Sequence, residues 1–312
     1  MSRPVSIAVL TYNQEAFVGQ TLDSILSQDY PDFRIIVSDD ASRDGTVAIV
    51  RDYIRRYPGR IVLQAHEKNL GITANCHSAV PLLQGDYVCW FAGDDLFLPG
   101  KLSRQAAVLD ANPDAVFCYH DVEVFDSNTG QQLYTYNSPL AGQKPREGLI
   151  AESLLMHGCF LPTMGIMLRR SAVGKTQHRS EIRTASDWMY FTEIAHQGRV
   201  IFIPEVLARY RRHSGNTTKR MDCTDEEKSY SLMRDGYPQY AAAIDYGLAR
   251  LYMTYTFKFL AAGHLQKAGL SLQKLLGVLR RRPRALGFAT ARIAGTFIQR
   301  LALFRRTGSI FR

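Results

Sequence analysis

The chain is poor in cysteine and has no long apolar run. Its 312 residues include five cysteines, which are scattered and form no CxxC pair. Disulfide-stapled folds and cysteine-based zinc sites are therefore excluded, and a reducing compartment is indicated. Because no stretch reaches about 18 uncharged apolar residues, we expect no membrane-spanning helix. The first strand pattern begins at Val5, which leaves too few residues before it for a signal peptide.

Two familiar nucleotide-binding motifs are also missing. The sequence contains no GxGxxG, so the usual dinucleotide-binding loop is excluded. The segment Val173–Thr176 resembles the end of a P-loop, but Arg169 stands where that motif requires its first glycine. A nucleotide site in this chain must therefore be built in another way.

Acidic residues are missing from the C-terminal part of the chain. The last one is Asp245, whereas residues 246–312 hold 13 of the 38 Lys and Arg residues. This asymmetry indicates an anionic partner. Because the basic residues alternate with Phe, Ile and Leu, we favour an anionic membrane surface, and no stacking platform or recognition motif supports nucleic acid. The alternatives are a helical bundle with a solvated basic face, or a dimer interface.

Strand and helix patterns alternate through residue 120. Apolar residues recur at helical spacing between the strands, as in Val18, Leu22 and Ile25, and the helix after Gly71 is expected to turn Ile72 inward. The predicted strands are Val5–Leu10, Phe33–Val37, Ile61–Leu63, Tyr87–Phe91 and Ala115–Tyr119. This alternation predicts an α/β fold with a mostly parallel sheet flanked by helices.

The remaining chain mixes strands and helices and then becomes helical. A hairpin is predicted over residues 122–136. Further strands are predicted at 165–168 and 200–203, with a helix at 186–197, and residues 224–312 show only helical patterns. We therefore expect a helical region after the sheet-forming part of the chain.

Polar residues follow three of the predicted strands. They are Thr11-Tyr12-Asn13, Asp39-Asp40 and Asp94-Asp95. In an open α/β sheet, ligands bind outside the carboxyl ends of the strands, so these clusters should share one edge. Adjacent carboxylates repel each other unless a cation or donors hold them, and Mg²⁺ or Mn²⁺ commonly bridges carboxylates and phosphates. The pattern predicts a nucleotide pocket with a metal-bound diphosphate, and a plain surface turn is the alternative for each cluster.

These segments resemble family 2 glycosyltransferases of the GT-A fold. The likeness covers residues 3–218 in order. It is carried by Val5–Asn13, Ser38–Ser42, Asn69-Leu70-Gly71, Gly85–Asp95, Ser186-Asp187-Trp188 and the stretch from Ile203-Pro204-Glu205 to Asn216. The resemblance implies a Rossmann-like nucleotide-binding half at about 1–120, an acceptor half at about 121–220, and a separate basic helical region at 221–312.

The resemblance also implies a role for each matching residue. Tyr12 would stack on the base of a nucleotide-sugar donor and Asp40 would hydrogen-bond it, while Asp94 would contact the ribose. Other nucleotide contacts would come from Thr11, Asn13, Asn69 and Gly71. Asp187 would be the catalytic base. Asp95 and His213 would bind Mn²⁺ or Mg²⁺, and Arg211 and Trp188 would contact the diphosphate or acceptor.

Departures from the family pattern keep other functions open. Ala92 replaces a frequent acid, Ser186 replaces the acid before the base, and the QxxRW motif of processive synthases is missing. We therefore expect addition of one sugar to a surface glycan or a lipid-linked acceptor, by an enzyme that is cytoplasmic or peripheral on the inner membrane face. A non-catalytic glycan or nucleotide-binding scaffold, or a sugar nucleotidyltransferase, is the alternative. Asp187 also suits a helix N-cap, and Asp40 suits a turn.

Overall fold

The chain folds into two compact units. The computed structural model describes residues 2–138, 144–176, 179, 181–182, 186–216 and 223–291. The first unit comprises the described parts of 1–137, 145–149 and 161–214, and the second those of 138–144, 150–160 and 215–312. The helix expected beyond residue 291 lies outside the described residues.

The strands all belong to one sheet in the first unit. They are β1 (Val5–Thr11), β2 (Phe33–Asp39), β3 (Ile61–Ala65), β4 (Tyr87–Ala92), β5 (Leu96–Phe97), β6 (Ala115–Asp126), β7 (Gln132–Thr135), β8 (Ile166–Arg169) and β9 (Arg199–Arg212). The α-helices are α1 (Val18–Leu26), α2 (Thr46–Arg56), α3 (Ile72–Ala79), α4 (Lys101–Ala111), α5 (Ala151–His157), α6 (Arg170–Val173), α7 (Ser186–Ala195), α8 (Thr224–Gly236), α9 (Ala241–Ala261) and α10 (Leu265–Arg281).

The sheet has a parallel half and a mixed half. Its strand order is β3-β2-β1-β4-β8-β6-β9-β5, and β7 pairs with β6. Strands β3, β2, β1 and β4 run parallel, as the alternating sequence pattern predicts. Strand β8 is antiparallel to both β4 and β6, whereas β6 and β9 are parallel. The register pairs Thr11 with Asp39 and Leu10 with Ala92, so the carboxyl ends of β1, β2 and β4 lie side by side.

Burial explains why these residues form these elements. Strand β4 is buried on both faces from Tyr87 to Phe91, which confirms the prediction from its unbroken apolar run. Helix α1 buries Val18, Leu22 and Ile25, the predicted stripe. Together with β1 and β2 they contribute to a single apolar core around the parallel strands. This core fixes the strand ends that carry the polar clusters.

The prediction for α3 was wrong at its first residue. Ile72 is 51% exposed, whereas Thr73 and Asn75 are buried. Asn75 is paired with β2, since its Nδ2 donates to Ser38 O at 3.0 Å and its Oδ1 accepts from Ser38 Oγ at 2.6 Å. A polar side chain can occupy an inward position when its hydrogen bonds are made there, and apolar periodicity does not reveal such pairs.

A buried lysine was also not predicted. Lys101 begins α4 and is completely buried, and its Nζ donates to Gln105 Oε1 and lies 4.8 Å from the ring centroid of Phe97. Burial lowers the pKa of Lys101. Gln105 in turn donates through Nε2 to Gly165 O at 2.8 Å, which ties α4 to the turn before β8.

The regular elements described in the second unit are all helical, as predicted for residues 224–312. Tyr230 of α8 donates its hydroxyl to Leu155 O of α5 at 2.7 Å. Asp245 of α9 is buried and lies 2.8 Å from Arg234, with Arg281 at 3.6 Å. A buried carboxylate is stable only when charged partners and donors surround it, so this ion pair fixes α8 against α9. Within the described residues, no helix combines the length and apolarity needed to span a membrane.

Candidate active site

The loop after β1 is held against the loop after β2. Asp39 is fully buried, and its Oδ2 accepts from Thr11 Oγ1 at 2.7 Å and from Ser42 Oγ at 2.6 Å. Asn13 completes the connection, because its backbone N–H donates to Ser42 Oγ at 2.8 Å and its Oδ1 accepts from Arg43 N–H at 2.9 Å. Sequence reasoning assigned Thr11 and Asn13 to the nucleotide, whereas here both fasten the loops.

Backbone strain is concentrated in the same two loops. Among the described residues, Asn13 (φ 52°) and Ala41 (φ 61°) are the non-glycine positions with positive φ. For an alanine this conformation is unfavourable, and it persists only where the surroundings enforce it. Such strain frequently marks a ligand site. Between these loops, Tyr12 is held at the surface with 47% of its side chain exposed.

A cleft of about 340 Å³ opens beside Tyr12. Its lining consists of Tyr12, Ala41, Ser42, Arg43, His66, Glu67, Lys68 and Asn69. The volume lies within the range of small-molecule sites. Two of these residues, Tyr12 and Asn69, were predicted nucleotide contacts. The cationic lining by Arg43 and Lys68 was missed, because single basic residues in loops carry no distinctive sequence signal.

Asp40 holds the segment from Asn69 to Gly71 next to this cleft. Its Oδ1 accepts from Leu70 N–H at 2.6 Å and its Oδ2 from Gly71 N–H at 3.0 Å, while its backbone O accepts from Asn69 Nδ2 at 3.1 Å. Gly71 has a φ of 85°, which a residue with a side chain adopts poorly. Asp40 thus acts as a turn residue, yet each carboxylate oxygen keeps a second lone pair for a ligand.

Asp94 faces His213 across the sheet edge. Asp94 Oδ2 lies 2.8 Å from His213 Nε2, although 119 positions separate the two residues. Their side chains keep 10% and 17% exposure. The preceding Gly93 is required here, since a Cβ at this position would lie 2.6 Å from Thr11 Cγ2. His213 was predicted to share a metal with Asp95, but the residue beside it is Asp94.

Asp95 points away from solvent. It is fully buried, its Oδ1 accepts from Arg211 N–H at 2.9 Å, and its backbone O accepts from Thr21 Oγ1 at 2.9 Å. Its Oδ2 has no partner among the described residues. Burial, followed by the negative charge of Asp94, raises the pKa of Asp95 well above its usual value. The Asp95 carboxylate is enclosed in this conformation, and its metal role stays a prediction.

Arg211 supports the acidic turn from within. Its Nε donates to Asp94 O at 2.7 Å and one Nη donates to Gln20 Oε1 at 2.8 Å. The guanidinium lies 4.9 Å from the ring centroids of both Phe17 and Phe125. Arg211 is only 5% exposed in this conformation, and its contact with a diphosphate or acceptor stays a prediction. Through these acceptors the buried arginine holds the backbone of the turn at Asp94 in place.

Asp187 is exposed in the first turn of α7. Its Oδ1 accepts from Trp188 N–H at 2.8 Å and its Oδ2 from Thr163 Oγ1 at 3.1 Å. Burial, followed by the negative charge of Asp187, raises the pKa of Cys76 to about 12. Trp188 is only 4% exposed and packs inward, and its contact with the diphosphate or acceptor stays a prediction.

The side chains of Asp94 and His213 supply only part of the ligands that a divalent cation needs. Asp94 and His213 offer a carboxylate oxygen and an imidazole nitrogen. In the part of the chain that is described, no cluster of three or more His, Cys, Asp or Glu side chains is arranged to hold a metal ion. Mg²⁺ and Mn²⁺ commonly use one or two protein ligands and complete their coordination with phosphate oxygens and water. The site therefore fits a cation that arrives with a diphosphate.

Comparison with known sequences identifies the family. The sequence profile of Glycosyl transferase family 2 matches residues 6–176, more than half of the chain. The chain belongs to this family. The match contains the Tyr12 cleft and the Asp94-Asp95 turn, and it ends before α7. The family resemblance noted in the sequence is therefore confirmed.

Relatives of this family 2 chain include proteins of unassigned and putative function. It is 30% identical over 213 residues to the uncharacterized protein Rv1520 of Mycobacterium tuberculosis, which covers 67% of this chain. It spans 59% of the length of that relative. It is 29% identical over 223 residues to the putative glycosyltransferase EpsE of Bacillus subtilis, covering 69% of this chain and 76% of EpsE.

Solved structures share the fold of this family 2 chain. TarS residues 1–349 of S. aureus, in complex with UDP-GlcNAc, align with a TM-score of 0.69 and 16% identity, covering 99% of this chain and 93% of that TarS fragment. The mannosyltransferase PcManGT of Pyrobaculum calidifontis, with GDP-Man and Mn²⁺, aligns with a TM-score of 0.59 and 20% identity, covering 96% and 87%. The GT-A-like fold with a helical C-terminal region is thereby confirmed.

Proposed function

We propose that this chain is an inverting glycosyltransferase that moves one sugar from a nucleotide-sugar donor to an acceptor hydroxyl. The contact between Asp94 and His213 carries the proposal, because it joins the acidic turn after β4 to the end of β9 at the strand edge that holds Tyr12 and Asp40. The cleft proposed for the nucleobase, the proposed cation site and the exposed Asp187 carboxylate then belong to one unit. The acceptor is proposed to be a bacterial surface polysaccharide or a lipid-linked glycan.

The proposed donor site uses the Tyr12 cleft. The exposed Tyr12 ring offers a face for a nucleobase, and the lone pairs of Asp40 accept its hydrogen bonds. Arg43 and Lys68 in the lining provide positive charge for the rest of the nucleotide. The loops are already fastened by Asp39 and Asp40, so binding requires little reordering of the backbone.

Asp187 is the proposed general base. One carboxylate oxygen of Asp187 removes the proton from the acceptor hydroxyl while the hydroxyl oxygen attacks the anomeric carbon. The new C–O bond forms as the bond from the anomeric carbon to the diphosphate oxygen breaks, and the nucleoside diphosphate leaves with the electron pair. Attack opposite the leaving group inverts the anomeric centre, as in inverting glycosidases.

Asp94 and His213 are the residues that would hold a divalent cation. When bound, Mn²⁺ or Mg²⁺ supplies positive charge against the diphosphate that leaves. This assignment differs from the expectation that Asp95 binds the metal, because the Asp94 side chain keeps 10% exposure and lies beside His213, whereas Asp95 is fully buried. Asp95 and Arg211 would keep the turn in place.

Thermal unfolding in the presence of nucleotides tests the proposed function. Uridine, guanosine and thymidine diphosphate sugars are added with and without Mn²⁺, and we expect one nucleoside to raise the melting temperature by about 5 °C or more near 100-fold saturation. Release of the nucleoside diphosphate into water is measured in parallel, because a transferase leaks sugar to water and a scaffold does not. A shift without hydrolysis would favour the scaffold, and no shift with any donor would overturn the proposal.

We also propose that the basic C-terminal region brings the enzyme to an anionic membrane surface from the cytoplasmic side. Residues 246–312 carry 13 basic and no acidic residues, and Leu265 and Leu270 of α10 are more than half exposed. We expect co-sedimentation with phosphatidylglycerol vesicles, none with phosphatidylcholine vesicles, and release near about 1 M salt. Equal binding to both lipids, or to neither, would overturn this partner.

A further inference from the structure

Among the described residues, the carboxylate of Asp187 has a side-chain partner, Thr163, that the reaction scheme does not use. Thr163 Oγ1 donates to Asp187 Oδ2 at 3.1 Å, across 24 positions of the chain. The other oxygen, Oδ1, accepts the N–H of the adjacent Trp188. The two contacts hold both oxygens, one by α7 itself and one by a different segment. Because Asp187 is otherwise exposed at the start of a helix, this second contact selects one orientation of its side chain.

The turn that carries Thr163 is itself fixed to the core. Thr163–Gly165 form a single 3₁₀ turn before β8, closed by Gly165 N–H donating to Pro162 O at 2.8 Å. Gly165 packs so closely that a Cβ there would lie 2.9 Å from His120 O. Gly165 O accepts from Gln105 Nε2 at 2.8 Å, and Gln105 Oε1 is held by the buried Lys101.

These hydrogen bonds give the buried Lys101 and Gln105 a structural role, which is to hold the turn at Gly165. Burying an amine costs free energy unless the amine is hydrogen-bonded. Here the hydrogen bond of Lys101 Nζ to Gln105 Oε1 orients the Gln105 carboxamide toward Gly165 O. An apolar pair would fill the same volume but would leave Gly165 O without this donor. The hydrogen bonds therefore run from α4 through the turn to the exposed carboxylate.

We propose that Thr163 is a positioning residue for Asp187, and that Lys101 and Gln105 anchor the turn from which it acts. The assignment rests on the proposed role of Asp187 as the base. Efficient proton transfer requires the base within hydrogen-bond reach of the acceptor hydroxyl, and an error of about 1 Å can cost 100-fold in rate. Thr163 supplies this accuracy by orienting the Asp187 carboxylate, and it does so without contacting the substrate.

The test removes the hydroxyl and keeps the shape. Thr163→Val and Thr163→Ser are compared with the wild type by hydrolysis of UDP-GlcNAc and of GDP-mannose with Mn²⁺. We expect Thr163→Val to lower kcat about tenfold or more, with KM for the donor and the melting temperature unchanged, and Thr163→Ser to restore kcat. Thr254→Val, which removes a hydroxyl bonded within α9, is the matched control and keeps the wild-type rate.

Crystal structures of the wild type and Thr163→Val give a second readout that needs no turnover. We expect the Asp187 carboxylate to leave its wild-type orientation in the variant. An unchanged orientation, or an unchanged kcat in Thr163→Val while Asp187→Asn is impaired, would overturn the positioning role alone. Full hydrolysis by Asp187→Asn would overturn the proposed base as well. If Thr163→Val does not fold, Thr163→Ala takes its place with the same expectations.

Discussion

Asp187→Asn is expected to lower sugar transfer by about 10²–10⁴-fold, the range that a positioned general base contributes. The amide has the shape of the carboxylate but cannot take the acceptor proton. Its oxygen can still accept from Thr163 Oγ1 or from Trp188 N–H, so the local structure is kept. The nucleoside diphosphate released into water measures the rate, because water reaches the same base as an acceptor hydroxyl does.

The donor affinity separates this loss from general damage. Asp187 makes no contact in the Tyr12 cleft, so the stabilisation by nucleoside diphosphate should be the same in Asp187→Asn and in the wild type. Asp52→Asn is a matched control, since Asp52 lies exposed on α2 in a surface ion pair with Arg55. Hydrolysis by Asp187→Asn within about threefold of this control would contradict the base assignment.

The position of the site was predictable because parallel strands share a direction. The alternation of β1, α1 and β2 and the buried run of β4 predict that the polar clusters after these strands share one edge. The register of Thr11 with Asp39 and of Leu10 with Ala92 places the strand ends there. Apolar periodicity carries this information because burial of a strand or helix face is a local property of the sequence. The family resemblance then supplied the expectation for Asp187 and His213.

The roles of individual polar residues were less predictable. Asp94 and Asp95 follow the same strand, and neighbouring side chains there point in different directions, so spacing alone does not say which one reaches solvent. Arginine is a residue type that often binds phosphate, yet the guanidinium of Arg211 contacts Asp94 O, Gln20 and two aromatic rings. Lys101 is buried where a surface residue is usual. Each outcome depends on partners that are distant in sequence.

Asp94→Asn is expected to abolish the metal-dependent part of the stabilisation by nucleoside diphosphate. The charge that binds the cation is lost, whereas the contact with His213 can persist through the amide. Near 100-fold saturation, binding contributes about 2.7 kcal/mol to the free energy of unfolding and raises the melting temperature by about 5 °C or more, and Asp94→Asn is expected to lose the share of this rise that depends on Mn²⁺. Titration of the donor with and without Mn²⁺, followed by thermal unfolding, measures the difference.

Asp95→Asn is the informative counterpart. Its amide oxygen can still accept from Arg211 N–H, and the enclosed side chain has no route to a cation in the present conformation, so the metal-dependent stabilisation should remain. If Asp94→Asn keeps the metal-dependent rise in melting temperature and Asp95→Asn loses it, the metal ligand is Asp95 and not Asp94. That outcome would also require the turn to open on binding, because a buried carboxylate must become accessible before it can coordinate an ion. The two variants therefore distinguish a preformed cation site from one that forms with the donor.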